Sequence, residues 1–273
     1  MAAEETLRNT IAGLARGFGS RKPVRAGSLI VTVFGDAVMP RGGLVATQSL
    51  LDVMGLFHIG QGLVRTSLSR LSQEGMFART RAGRRSYYRL TEAAWDEYER
   101  ASEVIYAEPN ADHWAGDWLV VLSATNGHGL GEDIRRGLMD LGFARFGGQV
   151  LMRPSNLVPG MRRKLDQLLD DQPVLLIEGP GSALPSGFKA MVETTWSVEE
   201  LGRRYTHFVR RYDPIAASLA RGMEIGDAEA ITLRLLIIHE FRLLVLKDPM
   251  LPAEVLPVSW AGGQAREITR TIY

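Results

Sequence analysis

From Gly27 to Val38 apolar positions follow one another almost without a break (Leu29, Ile30, Val31, Val33, Phe34, Val38), a pattern shared by buried strands and core helices. Pro40 and the Gly42-Gly43 pair end the run, and Leu44, Leu50, Leu51, Val53 and Met54 then supply a second short helix that Gly55 stops. That punctuation favours a helix for the first segment too. A clear period follows. Across Gln61 to Glu74, Val64, Leu68 and Leu71 fall at i, i+4 and i+7 on one face, while Thr66, Ser69, Arg70 and Gln73 point the other way with Arg65 at the rim. Gly75 caps this helix, Met76 to Arg81 reads as a strand, Ala82-Gly83-Arg84 as a tight turn, and Arg85 to Leu90 as the returning strand of a hairpin.

Beyond Thr91 the spacing predicts a linker helix to Tyr106, with Trp95, Tyr98, Ser102 and Ile105 along one stripe, ended by Pro109 and Asn110. Next come a strand at Trp118 to Leu122, a helix at Leu130 to Leu141, a hairpin at Ala144 to Met152 turned by Gly147-Gly148, a helix at Pro159 to Leu169 and a strand at Val174 to Glu178. That β-α-β-β-α-β order matches the ferredoxin-like unit, an antiparallel sheet with both helices on one face. From Ser197, with Glu199 and Glu200 in its first turn, a helix runs towards Tyr212 until Asp213-Pro214 breaks it and another begins. Asp227 then caps the longest apolar helix, Ala228 to Leu246.

The fold class expected is therefore α+β. Residues 1–24 form an N-terminal extension, 25–90 a winged helix-turn-helix, 91–110 a linker helix, 111–182 a ferredoxin-like domain and 183–273 a helical C-terminal domain. Composition removes other classes. The 273 residues include no Cys, which excludes disulfide scaffolds, Cys-ligated zinc fingers and thiol nucleophiles and fits a reducing cytoplasm. Arg8, Asn9 and Arg16 interrupt the first twenty residues where a signal peptide would need an apolar block. Ile231 to Leu246 carries Arg234, His239, Glu240 and Arg242, too many charges for a bilayer span of about 20 residues. A cytoplasmic protein without a membrane partner is expected.

The formal net charge of +1 hides two opposite segments. Residues 21–90 hold eleven Lys/Arg against three acids, a balance of +8, which leaves −7 on residues 91–273 because residues 1–20 cancel. A small basic segment joined to a larger acidic one is the footprint of a polyanion-binding module on a body that DNA repels. Three short helices and then a hairpin tipped by Arg81, Arg84 and Arg85 is the order of a winged helix-turn-helix. Its third helix offers Arg65, Thr66, Ser69, Arg70 and Gln73, with Gln61 at its start and Arg41 ahead of it, to base edges and phosphates in the major groove. The three tip arginines suit the phosphate backbone or the narrow minor groove, with Tyr87 and Tyr88 anchoring the strand behind them. The competing reading is a small helical domain with a basic hairpin of no function. One recognition helix reads few base pairs, so a homodimer on a two-fold double-stranded operator is expected.

Two motifs invite other functions. Gly127-His128-Gly129-Leu130-Gly131 follows a strand and opens a helix, but Glu132 stands where a dinucleotide fingerprint needs Gly, and the hairpin strand beyond carries no acidic residue to hold a ribose. The alternative of a nucleic-acid-processing enzyme, a metal-dependent nuclease targeted by the winged helix, would place an Asp at the end of the first ferredoxin-like strand, where this chain reads Ser123-Ala124-Thr125. Neither a Gly-x-Ser-x-Gly elbow, a His-Glu-x-x-His site nor a P-loop occurs, and the five histidines lack ligand spacing. No catalytic residue, metal or cofactor is expected.

The runs Ser28-Leu29-Ile30-Val31-Thr32-Val33-Phe34-Gly35-Asp36, Pro40-Arg41-Gly42-Gly43, Val64-Arg65-Thr66-Ser67-Leu68-Ser69-Arg70-Leu71, Glu74-Gly75 and Gly83-Arg84-Arg85-Ser86-Tyr87-Tyr88-Arg89-Leu90-Thr91 resemble the PaaX-like family of phenylacetate-degradation operon repressors. So do His239-Glu240-Phe241-Arg242, Asp248-Pro249-Met250-Leu251-Pro252, Leu256-Pro257 and Trp260-Ala261-Gly262, so the resemblance covers nearly the whole chain. It implies a bacterial repressor of aromatic catabolism that leaves its operator when an aryl-CoA thioester such as phenylacetyl-CoA binds. For such an effector, Trp196, Tyr205 and Phe208 offer aromatic surface and His239 and Arg242 polar contacts. Arg203, Arg204, Arg210, Arg211, Arg162, Arg163 and Lys164 are available for its phosphates. The plainer alternative is an internal network, Glu240 with Arg242 or His239 with an acid, because buried charge is costly unless paired. A free aromatic acid or another CoA ester fits the same residue types.

Overall fold

The computed structural model describes residues 2–107, 116–123, 130–146, 150–181 and 188–273. The chain forms two compact units: Met1–Ser102 with Phe208–Arg242 and Arg266–Tyr273, and Glu103–His207 with Leu243–Ala265. Helices and antiparallel sheets alternate along it in an α+β arrangement.

The first element, α1 (Ala2–Gly19), is absent from the sequence reading. Leu7, Ile11, Ala15 and Phe18 are buried at helical spacing, so one stripe of this amphipathic helix packs inward. Helix α2 (Ala26–Val33) continues through a π turn (Phe34–Val38) and a 3-10 turn (Met39–Arg41) and stops at Gly42, whose φ of 96° favours glycine. Leu44, read as helical, begins instead a short strand, β1 (Leu44–Ala46). The glycine pair before it and Thr47 after it leave three residues that pair with the later hairpin. Helices α3 (Thr47–Gly55) and α4 (Gln61–Gln73) follow, then β2 (Phe77–Ala82) and β3 (Arg85–Leu90), turned at Gly83. The sheet order is β1-β3-β2, all antiparallel, with Phe77 opposite Leu90 and Ala82 opposite Arg85. Leu29, Ile30, Phe34, Leu50, Met54, Val64, Leu68 and Phe77 share one core, in which Phe34 stacks on Phe77 at 4.1 Å. Helix α5 (Glu92–Ile105) ties down through Tyr98, whose hydroxyl donates to the Val31 carbonyl at 2.9 Å.

In the second unit β4 (Asp117–Ser123), α6 (Glu132–Asp140), β5 (Ala144–Arg145), β6 (Val150–Pro154), α7 (Pro159–Leu169) and β7 (Val174–Pro180) succeed one another. They build an antiparallel sheet of order β5-β6-β4-β7 over Leu119, Val121, Leu138, Leu151 and Leu165. The Gly147-Gly148 turn, Gly127 to Gly129, Ala124 and Thr125 lie outside the described residues.

Helix α8 (Phe188–Trp196) was not expected, and α9 (Val198–Ala220) corrects the reading of a break at Asp213-Pro214. Pro214 is exposed, while Tyr212, Ile215 and Ala216 beside it are buried. Burial of that stripe offsets the one backbone hydrogen bond that proline removes. Helix α10 (Asp227–Val245) matches its expected bounds within a residue, and α11 (Gly262–Ile272) closes the chain. Among the described residues no helix is long and apolar enough to cross a membrane.

Candidate nucleic-acid interface

Helix α4 buries Val64, Leu68 and Leu71 because they recur on one side, and this turns Arg65, Ser69, Ser72 and Gln73 the other way. Those four line a groove of about 780 Å³. The hairpin contributes Arg79, Arg84, Arg85, Ser86 and Tyr88 to the lining, and the start of α3 contributes Thr47, Gln48 and Ser49. No Asp or Glu lines it. Four guanidinium groups thus face a groove without a compensating carboxylate, an arrangement suited to a polyanion. The side chains of Arg65, Arg84 and Arg85 make no hydrogen bond or ion pair among the described residues, whereas Arg79 donates from Nη2 to Ser86 Oγ at 2.8 Å.

The structure gathers Arg65, Ser69, Gln73, Arg84 and Arg85 of the expected set at the groove. It places the other five elsewhere. Arg70 pairs with Glu74 at 3.0 Å on the side facing Gly27, Thr66 donates to the Gly62 carbonyl at 3.0 Å, and Arg41 donates to the Ala37 carbonyl at 2.9 Å. Gln61 is exposed at the start of α4, and Arg81 is exposed on β2 opposite Ser86. Sequence reasoning omitted Arg79, Ser86 and the Thr47-Gln48-Ser49 triplet. The period of two starting from buried Phe77 reaches Arg79, which places that side chain on the α4 side of the hairpin.

The six residues chosen for an effector are engaged, three in each unit. In the second, Trp196 donates from Nε1 to the Gly142 carbonyl at 3.0 Å, and exposed Arg203 pairs with Glu199 and Glu200 at 2.6 Å each. Tyr205 is buried, its hydroxyl 2.8 Å from Asp248 Oδ2 and its ring edge-on to Trp260. In the first, Phe208 packs against Tyr212 and Phe241. His239 Nδ1 lies 2.8 Å from the Thr32 hydroxyl, and its ring meets Phe18 edge-on at 5.1 Å. Burial, with the nearby Arg242 cation, pushes the imidazole down to about 3, so it is neutral. Arg242 donates from Nε to Thr32 Oγ1 at 2.8 Å and from Nη2 to Ser28 O and Oγ at 2.8 and 2.9 Å; burial disfavours its charge. An internal network is therefore present with other partners than expected. Glu240 pairs with Arg211 at 2.7 Å and Arg21 at 3.1 Å instead of Arg242, and His239 meets a hydroxyl instead of an acid. Of the cations chosen for phosphates, Arg162 pairs with Asp166 and Glu178, Arg163 with Glu103, and Arg204 donates to the Leu243 carbonyl.

A feature without any sequence signal is Arg153 on β6, wholly buried in the second unit. It donates to the carbonyls of Leu141, Pro154 and Pro249 and to Asn156 Oδ1, and Asn156 in turn donates to the Met250 carbonyl. The Asp248-Pro249-Met250 turn is thereby fixed to the sheet. Among the described residues no three His, Asp or Glu side chains gather as they would to hold a metal ion.

Comparison with known proteins bears on this geometry. Residues 25–94 match the family model described as PaaX-like protein, and residues 196–273 match that of the PaaX-like protein C-terminal domain. The Transcriptional repressor PaaX of Escherichia coli is 33% identical over 255 residues, which is 92% of this chain and 80% of the relative. Among solved structures, an uncharacterized protein from Mycobacterium tuberculosis has the same fold with a TM-score of 0.51 at 19% identity, covering 90% of this chain and 93% of that one.

Proposed function

The chain belongs to the PaaX-like family, and from that premise we propose that it is a DNA-binding transcriptional repressor of an aromatic-compound catabolic operon, acting in the cytoplasm. The observation that carries this reading is the acid-free groove between α4 and the hairpin, lined by Arg65 from the helix and by Arg79, Arg84 and Arg85 from the hairpin. We read residues 25–90 as a winged helix-turn-helix with α4 as its recognition helix, joined by a linker helix over 91–110. The succession α2, α3, α4, β2, β3 supports this. Residues 111–182 are read as a ferredoxin-like domain, for which the sheet order β5-β6-β4-β7 speaks, and 183–273 as a helical effector-responsive region. The alternative of a metal-dependent nuclease finds no support among the relatives.

The proposed effector is an aryl-CoA thioester such as phenylacetyl-CoA, as the family resemblance implies. Trp196, Arg203, Tyr205, Phe208, His239 and Arg242 each already have a protein partner, so an effector that reaches any one of them displaces an existing contact. Binding as a homodimer is proposed because a single α4 spans few base pairs. The test is selection of the protein's preferred duplex from a random library, followed by gel shift with phenylacetyl-CoA or free phenylacetate. The expected result is an enriched two-fold symmetric sequence, bound by two chains and released by the thioester. A library left unenriched overturns the repressor reading; release by the free acid alone overturns the effector.

A further inference from the structure

The three-stranded sheet of the first unit ends at a side-chain junction. Strand β1 pairs with β3 at Leu44 with Arg89, Val45 with Tyr88 and Ala46 with Tyr87. The next step in that register joins Thr47 to Ser86, but Thr47 has entered α3 and its backbone no longer follows the strand. Its hydroxyl takes over, donating to the Ser86 carbonyl at 2.9 Å. The ladder is thus carried one residue nearer the arginine tip. Ser86 is fixed from the other strand as well, because its Oγ accepts from Arg79 Nη2 at 2.8 Å. Arg79 is therefore held in the groove that Arg65 also lines, while Arg84 and Arg85 carry no such tether.

We propose that Arg79 is a specificity-determining residue of the DNA groove, with Ser86 and Thr47 as its positioning residues. A guanidinium reads a base edge through two parallel N–H groups, and that geometry is worth most when the side chain is ordered before binding. The untethered tip arginines are suited to phosphates, whose attraction has little directional demand. A division of labour within the wing follows. Arg79 discriminates between sequences, and the tip supplies affinity for any duplex. This deepens the DNA-binding reading and rests on it.

The test compares the duplex enriched by selection with the unselected library, measuring affinity for both and the dependence on salt. Arg79→Lys keeps the charge but loses the planar fork, so it is expected to reduce the preference for the selected duplex roughly ten- to a hundredfold while leaving the salt slope unchanged. Ser86→Ala and Thr47→Val are expected to reduce the preference by about tenfold, since each removes one tie at the junction. Thr47→Ser, which retains the hydroxyl, restores it. Thermal midpoints identify any variant that fails to fold, and Arg79→Lys, at an exposed position, keeps the test decisive. Equal losses on both DNAs, or an undiminished preference in Arg79→Lys, overturn the assignment even when the wild type selects a duplex. If the wild type enriches no sequence, the repressor reading falls and this inference with it.

Discussion

Arg234 on α10 grips Asp36 in the π turn after α2 through two N–H groups, at 2.8 and 3.3 Å, and the carboxylate is wholly buried. Together with Arg242 on Ser28 and Thr32, this sews α2 to α10 along residues 28, 32 and 36, one helical stripe. Buried ion pairs contribute little against well-packed apolar groups but are costly to break. Arg234→Met is therefore expected to lower stability by about 3 kcal/mol, because the wholly buried Asp36 carboxylate loses the guanidinium that pairs with it. Asp36→Leu combined with Arg234→Met recovers most of that loss. Urea unfolding of the two variants checks this; equal stability of wild type and Arg234→Met would refute the role of the pair.

What the sequence disclosed and what it hid follow from the range of the interactions. The α4 pattern, the hairpin and the β-α-β-β-α-β succession are local periodicities, and they appear within a residue or two of where the spacing places them. The continuity of α9 through Pro214 depends on Ile215 and Ala216 being buried, which no window of sequence reveals. At the candidate interface, Arg65, Ser69, Gln73, Arg84 and Arg85 were legible from helical facing and tip charge. Arg79 carries a signal of the same kind, the period of two from Phe77, but its tie to Ser86 depends on how β2 pairs with β3. The partners of His239, Glu240 and Arg242 were likewise hidden, since Thr32, Arg21 and Ser28 lie some two hundred residues away along the chain and Arg211, the nearer partner of Glu240, stands on another helix.

His239 makes stability depend on pH in one direction. The unfolded imidazole takes up a proton near its ordinary value of 6.5, whereas the buried one resists until about 3. Below pH 6.5 the unfolded state binds the extra proton, so stability falls as pH drops from there towards 3, by up to about 1.4 kcal/mol per pH unit from this group. Above 6.5 it contributes no slope. His239→Gln is expected to flatten the acid limb between pH 6 and 4, as read by chemical denaturation at several pH values. A variant whose acid limb matches wild type would show that other groups set it.

Pro214 weakens the helix that runs through it. Its ring lies on the exposed side of α9, and Ser218 already caps its carbonyl with a 2.8 Å hydrogen bond. Pro214→Ala restores a backbone donor without disturbing buried Tyr212 or Ile215. It is expected to raise stability by about 1 to 3 kcal/mol, the range set by proline's interior penalty less the chain entropy it saves on unfolding. A lower thermal midpoint in the variant would contradict this and point to a bend in α9 that the packing requires.

Arg65 and Arg84 line the same groove from different elements, and their backbones differ in what they allow. Arg65 stands on a rigid helix one turn from Ser69, so its guanidinium reaches a fixed depth, as base reading demands. Arg84 follows Gly83 in an exposed turn and has no partner among the described residues, so it adapts to whichever phosphate is near. Arg65→Ala is expected to weaken binding to the selected duplex by about 1 to 3 kcal/mol with little change on random DNA. Arg84→Ala is expected to weaken both by similar factors and to reduce the salt slope by about 1, one phosphate contact's worth of released counterion. Titrations at several salt concentrations separate these outcomes. Parallel losses for both variants on both DNAs would mean that Arg65, like Arg84, attracts DNA by charge alone and reads no base.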